Sequence, residues 1–246
     1  MNLAGNTILI TGGASGIGFA LAERFIQAGS NVIICGRRED KLQEAKKQYP
    51  GLHTKVCDVA NPSERVALAK WVKQEFPKLN VLLNNAGIQR RVPIAEIGEE
   101  WQEHQQEVAI NLEAPIHLSA LLLPLLQQQQ EAYIMNVTSG LAFVPGSFAA
   151  IYSATKAAMH SFTMSLRHQL SKTSIKVIEI VPPAVNTDLG GAGLHTFGAP
   201  LHDFADAIVQ GISYGEQEIG YGTSNRNRKA SREEIDQLFQ EMNSRF

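Results

Sequence analysis

Apolar positions fall into short continuous runs separated by helix-length amphipathic stretches. The runs are Thr7–Thr11 (TILIT), Asn31–Cys35 (NVIIC), His53–Cys57 (HTKVC), Leu79–Leu83 (LNVLL), Tyr133–Val137 (YIMNV) and Ile175–Val181 (IKVIEIV). Most are apolar throughout rather than alternating, as expected of strands covered on both faces, and so of a parallel sheet. Between them, Ile17, Leu21, Phe25 and Ala28 share one stripe over 17–28. Pro62–Phe76 opens with Asn61 as cap and Pro62 at the first helical position. Helices are also predicted over 101–126, with a kink near Pro115, over 151–170 and over 202–212.

Strand and helix patterns alternate to about residue 221 without a linker-like shift or an internal repeat. That predicts one doubly wound α/β domain over 1–223, its first three strands adjacent. Residues 224–246 form a tail with a capping box, Ser231 with Glu234, and a stripe of Ile235, Leu238, Phe239 and Met242. That stripe packs either on its own domain or on another subunit. Gln127–Gln130 reads as a solvated turn.

Charge narrows the function. With 22 Lys+Arg against 24 Asp+Glu, the net charge is −2 and leaves no footprint for nucleic acid or an anionic membrane. The longest candidate segment, Leu118–Leu126 (LSALLLPLL), has nine residues and contains Pro124, against ~20 for a membrane span. The start shows no signal-peptide pattern. Cys35 and Cys57 read as reduced, buried thiols of a cytoplasmic protein. No histidine or cysteine spacing matches a metal site, so none is expected.

Gly12, Ser15, Gly16, Ile17 and Gly18 lie in a glycine-rich turn (TGGASGIG) that follows the first strand and opens the first helix. Glycines there permit close backbone approach, and the helix N-terminus offers amides to a phosphate. A tight strand–helix connection is the alternative. Past the second strand stand Arg37 and Arg38, with no carboxylate at the turn itself. Guanidinium groups suit the 2′-phosphate of NADP; the alternative, a solvated helix start, is odd because cations are disfavoured at a helix N-terminus. Tyr152 and Lys156 are spaced i, i+4 on one helix face. An ammonium beside a phenol lowers its pKa and suits it to proton transfer, although a half-buried tyrosine beside a surface lysine has the same spacing. Ser139, just past a strand end, is placed to donate to a developing alkoxide.

Jointly, these residues resemble the short-chain dehydrogenases/reductases over nearly the whole chain. The resemblance rests on TGGASGIG, on Asp58-Val59 and Asn84-Asn85-Ala86-Gly87, on Asn111, Ser139, Tyr152 with Lys156, and on Pro182 through Thr187. Within that family the stretches IICGRRE, SGLAF and SLRHQL are similar to a branch found beside teichoic-acid D-alanylation genes. The resemblance implies a single Rossmann-type domain with about seven parallel strands. It implies an oxidoreductase moving a hydride between NADP(H), preferred over NAD(H), and a carbonyl or secondary-alcohol substrate.

It also implies roles. Asp58 with Val59 meets the adenine; Asn85, Ala86 and Gly87 line the adenosine side, while Asn84 pins its strand. Asn111 serves a proton relay, Ser139 orients the carbonyl, and Tyr152 is the acid or base. Lys156 also holds the nicotinamide ribose, and Pro182, Val185 and Thr187 meet the nicotinamide. The family has Pro-Gly where this chain has Pro182-Pro183, which alters the loop there.

Leu141, Phe143, Val144, Phe148 and Leu189 are the expected substrate walls, or else they pack beneath the next helix. The glycine-rich stretch 189–200 is a candidate lid or a plain surface loop. Arg90 and Arg91 are candidates for an anionic substrate or for a solvated loop; His195 and His202 read as loop residues. The family implies a homodimer or homotetramer acting on a small molecule. The rival reading is a non-catalytic NADP-binding or interaction protein on the same fold; an epimerase or lyase is a further one.

Overall fold

The computed structural model describes residues 1–99 and 101–244. In chain order it comprises β1 (Thr7–Thr11), α1 (Gly16–Gln27), β2 (Asn31–Gly36), α2 (Glu39–Gln48), β3 (His53–Val56), α3 (Pro62–Glu75), β4 (Val81–Asn84), α4 (Ile94–Ile97) and α5 (Trp101–Val108). A π-helical turn (Ala109–Glu113), α6 (Ala114–Leu126), β5 (Ala132–Val137), α7 (Ala150–Gln169), β6 (Ile175–Val181), α8 (Leu201–Tyr214), β7 (Glu218–Gly220), α9 (Thr223–Asn227) and α10 (Arg232–Asn243) follow. The seven strands form one parallel sheet in the order β3-β2-β1-β4-β5-β6-β7. The order reverses between β1 and β4, which opens a crevice beyond their carboxyl ends.

Two apolar cores explain the continuous runs. Along β1, Ile8 and Ile10 face a core shared with Leu21 and Phe25 of α1 and Phe204, Ile208 and Ile212 of α8. Leu9 faces the opposite core, with Leu68 and Val72 of α3 and Leu118, Leu122 and Leu126 of α6. Successive strand residues point to opposite faces, so a sheet buried on both sides needs apolar residues at every position.

The caps Asn61 and Ser231–Glu234 form as the sequence implies, and both cysteines are free and buried. The helix over 101–126 is continuous and widens into a π-turn at 109–113, close to Pro115 where a kink is expected. Two expectations are corrected. The 101–126 run is long and apolar enough, by length and composition, to cross a membrane. The sequence count missed it by taking only the densest leucine stretch; in the fold Leu118, Leu122, Leu125 and Leu126 fill the core. Finally, β4 begins at Val81 rather than Leu79, because Asn80 is spent on docking the strand: its Oδ1 accepts from Thr7 N at 2.9 Å. β7, three residues long, has no run of its own in the sequence.

The tail lies on this domain. Ser224 is buried and donates to Val181 O. Asn243 of α10 donates to Pro145 O (3.1 Å) and accepts from Ser147 N (2.6 Å). Its last two residues, 245 and 246, lie outside the described residues.

Candidate active site

The glycine turn is locked from the end of β4. Asn85 Nδ2 donates to the carbonyls of Thr11 (2.9 Å) and Gly12 (3.1 Å), and Thr11 Oγ1 accepts from the amides of Asn85 and Ala86 (both 3.0 Å). Gly12 has φ +64°, and a Cβ there would stand 2.9 Å from Ala86 Cα, so only glycine fits. Ser15 precedes α1 without capping it by its side chain. The first-turn amides of α1 are therefore left for a ligand, and an anion is the natural one. Thr187 faces Gly16 across the crevice: its Cγ2 is 3.5 Å from where a Gly16 Cβ would be. A phosphate cradle of this kind fits a dinucleotide.

At the adenosine end, Arg38 Nη2 donates to Ser15 Oγ at 2.9 Å, so guanidinium and hydroxyl form one polar group beside the turn. Arg37 is exposed. One oxygen of Asp58 accepts from Ala60 N (2.9 Å), fixing the carboxylate beside buried Val59. Asn84 is spent inside the sheet, donating to Asn136 Oδ1 (2.9 Å) and Ser119 Oγ (3.3 Å).

Four segments bring the reactive groups together. Tyr152 is 6% exposed on α7, and Ser139, past the end of β5, hydrogen-bonds to it. Ser139 Oγ already accepts from Leu141 N (3.1 Å), which leaves its proton to point at the phenol or at a substrate oxygen. Lys156 is buried; its Nζ donates to Val137 O (2.9 Å) and lies 5.5 Å from the Tyr152 ring centroid. Asn111, in the π-turn, accepts from Ile88 N and donates to Ile88 O (both 2.9 Å) and to Thr155 Oγ1 (3.2 Å). It thereby braces the loop after β4 against α7. Gly87 fills the gap: a Cβ there would meet Asn111 Oδ1 at 3.4 Å and Lys156 Nζ at 3.7 Å.

Burial dominates the ionisation of this set. It pushes Tyr152 up to about 12, against a lowering by the Ser139 hydrogen bond, and pushes Lys156 down to about 8. In the protein alone, the ammonium is not what tunes the phenol; desolvation outweighs it.

The pocket-side residues split. Val144 is buried, and Phe143 packs on His160 with ring centroids 4.5 Å apart. Leu141 lines a cavity of about 420 Å³ with Ala150, Ala154, Ala157 and Phe239. That cavity lies on a different face of α7 from Tyr152 and Lys156. Phe148 lies one turn before Tyr152, and Leu189 is half-buried in the 189–200 loop. Val185 is buried in the core and pairs by backbone with Ala199, closing that loop at its base. Pro182 O accepts from Gly140 N (2.8 Å), tying the loop to Ser139's neighbour.

Two groups carry no motif in the sequence. Glu107 is 0% exposed, one turn before Asn111. Its Oε1 accepts from Arg90 N (3.1 Å), its Oε2 has no partner, and burial raises its carboxyl to about 7. Its charge acts on both Tyr152 and Lys156. Below Ser139, buried Glu179 accepts from Thr138 Oγ1 (2.7 Å) and bonds His160 Nδ1 (2.9 Å), whose pKa it raises. Glu218 pairs with Arg228 alongside (3.1 Å). His160, Glu179 and Glu218 cluster as metal ligands would, but Arg228 already supplies a cation there. A hint of both groups was the charge placed within helix 101–126 and within the apolar run 175–181.

The short chain dehydrogenase family model matches residues 6–195. The uncharacterized oxidoreductase DltE of Bacillus subtilis (strain 168) is 47% identical over 99% of both chains. Two solved structures share the fold. A short chain dehydrogenase from Burkholderia cenocepacia in complex with NADP has TM-score 0.85 and 22% identity, covering 98% of this chain and 99% of that one. A short chain dehydrogenase/reductase from Burkholderia phymatum in complex with NAD has TM-score 0.84 and 20% identity, covering 97% and 96%. With a sheet, a glycine turn and a Ser–Tyr–Lys–Asn arrangement of this kind, and matches of this extent, the chain belongs to the short-chain dehydrogenase/reductase family of oxidoreductases, in the same branch as DltE.

Proposed function

We propose that this protein is an NADP(H)-dependent oxidoreductase interconverting a carbonyl compound and a secondary alcohol, with Tyr152 as the proton-transfer group. The observation that carries this reading is the convergence of Ser139, Tyr152, Lys156 and Asn111 beside Gly87, at the crevice between the glycine turn and the 183–200 loop.

The α1 N-terminus with Gly12, Gly16, Ile17 and Gly18 would hold the pyrophosphate; Asp58, Val59, Asn85 and Ala86 would border the adenosine. Arg37, Arg38 and Ser15 would take a 2′-phosphate, which favours NADP(H) over NAD(H). Lys156, Pro182, Val185 and Thr187 would hold the nicotinamide end. The bound cofactor supplies the hydride chemistry. The protein's own part is position and proton handling. Ser139 orients the substrate oxygen, and Tyr152 gives that oxygen a proton or takes one from it. Lys156, held by Val137 O, places positive charge against the phenol, and Asn111 fixes the loop that closes the site. Phe148 and Leu189 border the substrate, together with residues of the 139–148 segment. We further read the protein as cytoplasmic, acting on a small molecule without nucleic acid or membrane, and as a homodimer or homotetramer.

Fluorescence titration with NADPH and, separately, NADH tests the cofactor. At least tenfold tighter NADPH binding is expected. Equal affinities would overturn the preference, and binding of neither would leave a non-catalytic protein on the same fold. NADPH oxidation with a panel of ketones and aldehydes tests the reaction.

A further inference from the structure

Two adjacent arginines meet different fates in the loop after β4. Arg90 is neutralised: Nη1 reaches Glu103 Oε2 and Nη2 reaches Gln106 Oε1, both at 3.4 Å. Arg91 is half-buried and, among the described residues, has no carboxylate within ion-pair distance. Its partners are neutral. Nε donates to Gln89 Oε1 (3.4 Å), Nη2 meets His195 Nε2 (3.1 Å), and Cζ sits 5.0 Å from the centroid of the Phe148 ring.

His195 is 5% exposed, and burial together with the Arg91 charge lowers its pKa. As Arg91 can only donate, Nε2 is the acceptor and the ring is neutral. Its buried Nδ1 is turned toward the Leu189 carbonyl without a well-formed hydrogen bond.

The place matters as much as the charge. Arg91 comes four residues after Gly87, which borders Lys156, and Phe148 comes four residues before Tyr152. His195 belongs to the glycine-rich loop, and Gln89 O lies 3.1 Å from where a Gly190 Cβ would stand. Three segments that border the reactive groups therefore meet at one guanidinium. A neutral apolar substrate packed there would desolvate that charge without compensation. A carboxylate would pair with the guanidinium fork, which His195 Nε2 holds in place as an acceptor.

We propose that Arg91, assisted by His195, is the anchor for a carboxylate of the substrate, so that the enzyme acts on an anionic carbonyl or hydroxy compound. This rests on the oxidoreductase reading for the chemistry, but not for the anion site itself.

The test uses unreactive probes. Benzoate and benzamide, and the smaller pair acetate and acetamide, are titrated calorimetrically into the full chain, with and without saturating NADPH. For at least one pair, the carboxylate is expected to bind at least tenfold tighter than its amide. Arg91→Met keeps the length and the contact with Phe148. It should bring the two members of the pair within twofold of each other, with NADPH affinity and melting temperature unchanged. Carboxylates no tighter than amides in both pairs, or a preference surviving in Arg91→Met, would overturn the proposal. Carboxylate preference in a protein that binds neither NADPH nor NADH would instead sink the oxidoreductase reading and leave the anion site standing.

Discussion

At the ends of β1 and β4 the polar groups are neutral: the Thr11 hydroxyl, the Asn85 and Asn84 amide nitrogens and the glycine backbone, each bonded to a neighbour at about 3 Å. Around the ends of β5 and β6 they are ionisable: buried Tyr152, Lys156 and Glu179 and half-buried His160, with Glu107 of α5 acting on the first two. The first region is a rigid cradle, where fixed dipoles do the binding and pH has little to act on. In the second, burial moves protonation equilibria, bringing Glu107 and Lys156 toward neutral and Tyr152 away from it. One sheet thus carries a pH-indifferent end and a pH-responsive end about two strands apart.

The sharpest way to separate them is Tyr152→Phe. Turnover should fall at least a hundredfold, while NADPH affinity stays within twofold, since the cradle does not depend on that hydroxyl; steady-state rates and a fluorescence titration check both. Wild-type rates would end the proton-transfer role.

Glu107→Gln probes the responsive end through stability. The folded carboxyl sits near 7 and the unfolded one near 4.5, so the fold favours the protonated form. Its contribution is complete below about pH 4.5 and is lost as pH rises through about 7. Up to about 3 kcal/mol is at stake, at ~1.4 kcal/mol per pKa unit. Urea unfolding at pH 5 and pH 7 should show wild type losing more stability than the glutamine variant; parallel losses would show that Glu107 is ionised throughout.

Gly18→Ala attacks the cradle. The new Cβ would overlap Asn85 Nδ2 and stand 2.6 Å from the Gly12 carbonyl oxygen. About 1–3 kcal/mol of overpacking is expected, lowering Tm by roughly 2–4 °C per kcal/mol, equally at pH 5 and pH 7. A pH-dependent loss would break the contrast. The smallest effect belongs to Arg38→Ala, which should weaken NADPH by about tenfold and NADH by less than twofold. Equal weakening would make Arg38 a bystander that only orders Ser15.

The cradle was nearly all legible in the sequence, because its parts are consecutive: a strand, a glycine turn and a helix start, then Asn84 to Gly87 in one stretch. The responsive end was legible only where residues share a helix face, as Tyr152 and Lys156 do. Glu107 and Glu179 showed only as charges, one in a glutamine-rich helix and one inside an apolar strand run, with nothing to say what they would face. Arg90 and Arg91 looked alike, and only folding gave one a carboxylate and the other an imidazole 104 positions away.

The sequence by itself determined the parallel sheet, its order of elements and the phosphate-binding turn. Those follow from period, local spacing and backbone conformation, which neighbours along the chain decide. The tertiary structure alone decided which buried charges are compensated. It buried Glu107 where its charge acts on Lys156 and Tyr152, set Glu179 under Ser139 and, among the described residues, left Arg91 without an acid. The cost of a charge depends on what distant segments bring within a few ångströms and on how much water they exclude.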